Sequence, residues 1–176
     1  MTHAIERSSS GREASKQQDE RQQFVTFSLN GQQYCVDIMS VREIRMLQSI
    51  TALPGAPASV RGVINLRGTI VPICDPRLRF AQGRTEISPS HAVVVVSVAG
   101  RLTGLLVDEV LDIVTVPRSQ VAPIPDADSG RRNPFFQGLI TQDDQMLIVI
   151  DLERLVETGQ AAETSVDAPM VRSSAA

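Results

Sequence analysis

The sequence predicts an all-β fold of two similar subdomains, and three observations carry that expectation. The chain of 176 residues holds 20 Val and 13 Ile, which alternate with polar residues or fall in short runs, as strand residues do. No long segment repeats its apolar residues at the 3.6-residue period of an amphipathic helix. A stretch near the start of the chain also aligns with one further along, so the same strand pattern is written twice.

Taken in order, residues 1–22 are polar, with Ile5 the only large aliphatic after Met1. Such a segment cannot bury enough surface to offset its ordering entropy and is expected to be disordered. Phe24–Leu29 alternates, Asn30-Gly31 supplies a tight turn, and Tyr34–Ile38 continues the pattern, which makes a β-hairpin. Asp75-Pro76 puts a capping carboxylate before a proline at the first helical position, where the missing N–H costs nothing. Gly83–Pro89 reads as a linker. His91–Val98, Ala99-Gly100 and Leu102–Val107 make a second hairpin, and Asp151–Val156 gives a second short helical turn. From Thr158 to Ala176 the chain is rich in Ala, Ser, Glu and Thr and is again expected to be disordered. The ordered unit is thus 23–157, divided into a first subdomain of about 23–82 and a second of about 90–157.

The repeat aligns Phe27–Ile44 with Val96–Ile113 without a gap, at an offset of 69 residues. Gly62–Asn65 and Ile70–Asp75 align with Gly138–Thr141 and Met146–Asp151 at an offset of 76, the difference falling in the connecting loop. Neither copy has many apolar residues of its own, so each must lean on the other.

Several function classes are excluded or disfavoured. A formal charge of −3 with six aromatics offers neither a phosphate-tracking surface nor stacking platforms for nucleic acid. No apolar run approaches the ~20 residues of a membrane span and the start lacks a signal-peptide core, so a cytoplasmic location without membrane insertion is expected. His3 and His91 stand apart, leaving no metal-ligand set, and no nucleophile elbow, P-loop or dinucleotide fingerprint occurs. No cofactor and no enzymatic activity are expected. Cys35 and Cys74 sit in apolar strands and read as buried, inert thiols. Asp108, Glu109 and Asp112 read as a solvated acidic turn, and Asp143-Asp144 as a hairpin turn. Asp126–Gly130 is similar to a calcium loop without the Glu at its twelfth position.

The segment Gly62–Asp75, GVINLRGTIVPICD, preceded by Val41–Ile44 (VREI) and Leu53–Val60 (LPGAPASV), closely resembles the CheW-type coupling proteins of bacterial chemosensory arrays. The second copy agrees through GLLVDEVLDI at Gly104–Ile113 and MLIVIDLERLV at Met146–Val156, so the resemblance covers about Phe24–Val156. It implies two intertwined five-stranded SH3-like β-barrels and a non-catalytic adaptor. Such an adaptor ties the regulatory domain of a CheA-type histidine kinase, itself of the same double-barrel fold, to the cytoplasmic tip of a methyl-accepting chemoreceptor. Two neighbouring readings are an adaptor of a related chemosensory system, for pilus motility or a developmental output, and a detached kinase regulatory domain. A barrel that binds a nucleotide second messenger would need an Arg-x-x-x-Arg pair near an Asp-x-Ser-x-x-Gly turn, and neither string occurs.

The resemblance also implies a receptor groove, carried here by Val41, Glu43, Ile44, Gly62, Asn65, Arg67 and Gly68, with Val110 and Ile113 as the repeat's equivalents of Val41 and Ile44. An amphipathic helical hairpin needs an apolar groove with polar edges. Gly62 and Gly68 suit tight turns or close backbone approach. Glu43 and Arg67 are expected to face each other at the groove, the guanidinium fork orienting the pair. Kinase contacts are expected on the first subdomain's edge strands and the adjoining end of the barrel, without residue assignments. Phe135 or Phe136 either presents a ring for a further contact or packs one under the barrel. The isolated protein is expected to be a monomer.

Overall fold

Four two-residue turns set the register of the strands. Each holds both central residues at positive φ: Asn30 (51°) and Gly31 (80°), Arg67 (50°) and Gly68 (87°), Ala99 (48°) and Gly100 (76°), Asp143 (48°) and Asp144 (63°). This is the type I′ geometry, whose twist matches that of the strands it joins. The computed structural model describes residues 20–125 and 133–157. These form β1 (Arg21–Leu29), β2 (Gln32–Asp37), β3 (Val41–Met46), β4 (Val60–Leu66), β5 (Thr69–Cys74), β6 (Ala92–Val98), β7 (Arg101–Val107), β8 (Glu109–Pro117), β9 (Phe136–Gln142) and β10 (Gln145–Ile150). Two short helices, α1 (Pro76–Arg79) and α2 (Leu152–Glu157), follow β5 and β10. Asp75 caps α1 by accepting from the Arg77 N–H, as the Asp-Pro signal predicts.

The strands make two five-stranded sheets, ordered β8-β1-β2-β10-β9 and β3-β6-β7-β5-β4. Both follow one scheme: the first hairpin of one copy lies between the third strand and the last two strands of the other. The sheets therefore do not follow the expected division into 23–82 and 90–157. One sheet is continuous in sequence from Val41 to Val107; the other is assembled from β1 and β2 together with β8 to β10. The repeat was read correctly, but strand exchange decides which strands share a sheet.

Each sheet closes on itself into a barrel. The chain leaving β3 returns to pair Thr51 with Val63, through hydrogen bonds of 2.9 and 2.8 Å, and the chain leaving β8 pairs Ala122 with Leu139 in the same way. Gly62 and Gly138 stand at these closures. A Cβ at Gly62, where φ is 140°, would lie 2.2 Å from the Thr51 carbonyl oxygen, and one at Gly138 would lie 2.8 Å from that of Ala122.

Three apolar clusters fill the molecule. Ile64, Val71, Ile73, Val93, Val95 and Leu106 fill the continuous barrel, and Phe24, Cys35, Val116, Ile140, Leu147 and Val149 fill the other. Between the barrels lies a shared core that includes Phe27, Tyr34, Val94, Val96, Leu105 and Leu155. Strand β6 explains why four valines run in sequence: Val93 and Val95 face its barrel while Val94 and Val96 face the shared core. Phe135 and Phe136 pack against this core, their rings 6.1 and 4.9 Å from that of Phe80. The packing alternative is the one the fold adopts.

Two further details differ from the sequence reading. Arg21 and Gln22 belong to β1, paired with Pro117 and Val116, and the Gln22 amide also donates to Asp37 Oδ2 at 2.8 Å. Glu109 and Asp112 lie in β8 rather than in a turn, and Asp108 is bound by Arg77. The 83–89 linker is anchored by buried Thr85, as described below. The remaining terminal segments expected to be disordered (1–19 and 158–176) and Asp126–Gly130 lie outside the described residues.

Cys35 and Cys74 are free and buried, and desolvation pushes their thiols up to about 12 and about 11. A free thiol loses its proton near 9.0, so from there upward the folded chain retains protons that the unfolded chain has lost. Stability contributed by these thiols is present below pH 9 and falls above it, by roughly 1.4 kcal/mol per pH unit for each thiol until its folded value is reached. Buried Tyr34, also raised by desolvation, adds to this loss. Urea unfolding between pH 8 and 11 is expected to show the decline, with a shallower slope in Cys35→Val. At pH 8 a thiol reagent is expected to label denatured but not native protein.

Candidate functional site

Strand β3 alternates between inward and outward positions. Glu43 and Arg45 are half-buried, whereas Arg42, Ile44 and Met46 are exposed. Barrel closure brings this strand to the β4–β5 turn, although β3 and β4 stand at opposite ends of the sheet order. Arg67, at the left-handed first position of that turn, reaches across to Glu43. Its Nη2 donates to Oε2 at 2.7 Å and its Nη1 to Oε1 at 3.3 Å, a two-pronged pair. Arg45 Nε lies 3.3 Å from the same Oε1. The Arg67 side chain is 72% exposed and that of Glu43 23%, so the pair faces solvent on one side. Asn65 fixes the turn that carries Arg67, its Oδ1 accepting from the Gly68 N–H at 2.7 Å.

Four of the expected residues, Glu43, Asn65, Arg67 and Gly68, are therefore gathered at one end of the continuous barrel. Gly62 is buried, and its close approach to Thr51 gives it a structural role in barrel closure. Val41 packs against the shared core and Ile44 is 44% exposed. Val110 and Ile113 lie on β8, in the other sheet, with Val110 on the shared core and Ile113 49% exposed. Both valines thus mark the seam between the barrels, and an exposed isoleucine follows each of them. Exposed Met39 and Met46 extend the apolar surface along β3 and the 3-10 turn Ile38–Ser40 that precedes it.

Sequence reasoning missed two features. Arg45 is one, legible only as the arginine two places after Glu43 on an alternating strand. The other is a buried polar knot at the far end of the β4–β5 hairpin from the Arg67 turn. Arg61 sits at a bulge where the β4–β5 register shifts between Val60 and Gly62. That bulge turns its guanidinium inward, to Asp75 Oδ2 at 3.0 Å and to the Thr85 carbonyl at 2.6 Å. Asp75 is fully buried and also accepts from the Thr85 N–H at 2.9 Å, the Thr85 hydroxyl at 2.7 Å and the Arg77 N–H at 3.2 Å. The knot ties β4, β5, α1 and the inter-copy linker together at the end of the hairpin opposite the Arg67 turn.

Residues 23–160 match the CheW-like domain family. The chain belongs to that family. This CheW-like chain is 39% identical over 133 residues to a probable chemotaxis protein CheW of Rhizobium etli, covering 76% of this chain and 86% of that protein. It is 34% identical over 141 residues to the chemotaxis protein CheW of Klebsiella aerogenes, covering 80% and 85%. The crystal structure of the scaffolding protein TtCheW from Thermoanaerobacter tengcongensis superposes with a TM-score of 0.70 at 33% identity, covering 77% of this chain and 88% of that one. The CheW-like chain is thus a chemotaxis coupling adaptor built as two intertwined SH3-like barrels. Among the described residues no helix is long and apolar enough to cross a membrane.

Proposed function

We propose that the chain, a cytoplasmic and non-catalytic scaffold recruited to receptor arrays, couples the regulatory domain of a CheA-type histidine kinase to the cytoplasmic tip of a methyl-accepting chemoreceptor. The receptor tip is read on the surface around Glu43 and Arg67. The observation that carries this reading is the pairing itself: a two-pronged, solvent-facing ion pair beside exposed Ile44 and Met46. An exposed pair contributes only ~0–1 kcal/mol to folding. Its charges and its apolar neighbours are instead well placed for a helical hairpin, which buries an apolar stripe and orders itself through polar edges. Val41, Val110 and Ile113 continue the surface toward the seam between the barrels, with Asn65 and Gly68 holding the turn.

Calorimetric titration of the monomeric protein with the kinase regulatory domain from the same cell tests the coupling role. Saturable one-to-one binding at roughly micromolar affinity, about −8 kcal/mol, is expected. A receptor-tip fragment is expected to join that complex and not to displace the kinase domain. Absence of kinase binding, or competition between the two partners, overturns the reading.

A further inference from the structure

The two copies carry a β-bulge at the same place. The β3–β6 register passes over Arg42, from Val41 opposite Val96 to Glu43 opposite Val95. The β8–β1 register passes over Leu111, from Val110 opposite Phe27 to Asp112 opposite Thr26. The repeat aligns Arg42 with Leu111, and both are exposed. Around the bulges the apolar residues match. Val41 and Val110 pack on the shared core, and exposed Ile44 and Ile113 stand opposite Val94 and Val25, which belong to it. Opposed residues of an antiparallel pair share a face, so both isoleucines lie on the face by which their sheet meets the other barrel. The apolar surface along the seam is therefore nearly the same in the two copies.

The charges are not. Arg42, Arg45 and Arg67 stand against one carboxylate, that of Glu43, which Arg45 and Arg67 share. Among the described residues Arg42 has no charged partner. The same offsets place Leu111, Val114 and Asp143 where the first copy has these three arginines, and β8 carries no basic residue. A bulge re-aims the side chain it carries. An arginine there can lay its stem on apolar surface while its weakly hydrated guanidinium takes an anion.

An apolar seam that is alike on both sides accepts a two-legged helical hairpin in two directions, which exchange its legs between β3 and β8. Only an interaction that differs between the sides can choose one of them. We propose that Arg42 makes that choice: the leg with acidic side chains on its edge lies along β3, facing Arg42 and Arg67, and the other leg lies along β8. The inference rests on the coupling reading above and gives its receptor surface a direction and its partner a charge pattern.

A receptor-tip fragment carrying a nitroxide on one leg reports the direction through the amide signals it broadens. With the unsubstituted protein, broadening is expected on one of β3 and β8 and not on the other. Arg42→Leu/Leu111→Arg moves the guanidinium to the equivalent bulge, and broadening is expected to spread to the strand left untouched before. Arg42→Gln alone is expected to weaken fragment binding about fivefold and to lower its salt dependence, with the melting temperature and kinase-domain binding unchanged. This single variant keeps the test valid if the exchange variant fails to fold. Equal broadening of both strands by the unsubstituted protein, an unchanged pattern in the exchange variant, or unchanged affinity and salt dependence in Arg42→Gln overturns the assignment and leaves the coupling reading standing. Failure of the unsubstituted protein to bind the fragment overturns the coupling reading itself.

Discussion

Arg67→Glu is expected to reduce receptor-tip binding by at least ~100-fold, because a like charge placed at a docking edge costs several kcal/mol. The melting temperature is expected to move by no more than about 2–4 °C, since an exposed pair contributes at most ~1 kcal/mol. The turn itself tolerates the change, because Asn65 holds it through the Gly68 N–H and not through the Arg67 side chain. The charge-swapped variant Glu43→Arg/Arg67→Glu separates two meanings of the pair. If the receptor reads the charges, binding stays lost although the ion pair is restored. If the pair only stiffens the turn, the swap restores binding. Near-normal receptor binding by Arg67→Glu removes the assignment, and circular dichroism checks that the fold persists.

Asp75→Ala is expected to have the largest effect on stability. Asp75 is fully buried, and its partner Arg61 has a side chain only 7% exposed. Breaking such a pair from one side strands the other charge, at a cost of roughly 3–5 kcal/mol. The Thr85 N–H, the Thr85 hydroxyl and the Arg77 N–H lose their acceptor at the same time. A fall in melting temperature of roughly 10–20 °C is expected for a chain of this size. Arg61→Met with Asp75→Leu, which removes both charges, is expected to recover much of that loss, since apolar replacement of a buried pair is often close to neutral. A melting temperature within about 3 °C of the parent in Asp75→Ala alone would show that the knot carries no such weight.

What the sequence made legible follows from range. Turn chemistry and strand alternation are local, so both hairpins, the Asp75 cap and the Asp143-Asp144 turn could be read directly. Gly62 suits either a tight turn or close backbone approach; the structure shows the second, and the approaching group is the Thr51 carbonyl. The Glu43–Arg67 pair was legible only through the family resemblance, since nothing local joins residues 24 positions apart. Sheet membership was not legible, because both copies carry the same strand pattern and either hairpin fits either barrel by composition. The knot was hidden for a related reason. Asp151 is the repeat's counterpart of Asp75, yet the position matching Arg61 is Gln137, and Asp151 pairs locally with Arg154 at 3.5 Å. Two aligned aspartates thus have different surroundings, and only the bulge at Arg61 and the path of the linker decide which one is enclosed.

The exchange of strands between copies also fixes the order in which the molecule can be completed during synthesis. Every strand of the continuous barrel has been made once the ribosome has passed Val107. Strands β1 and β2 emerge first yet finish last: their outer neighbours are β8 and β10, and Tyr34 meets Ile148 only near the end of the chain. Until then Phe24, Phe27 and Tyr34 have no complete barrel to enter, so the nascent chain carries an apolar hairpin on its leading end while the second barrel is translated. Long-range pairing of this kind makes for slow folding.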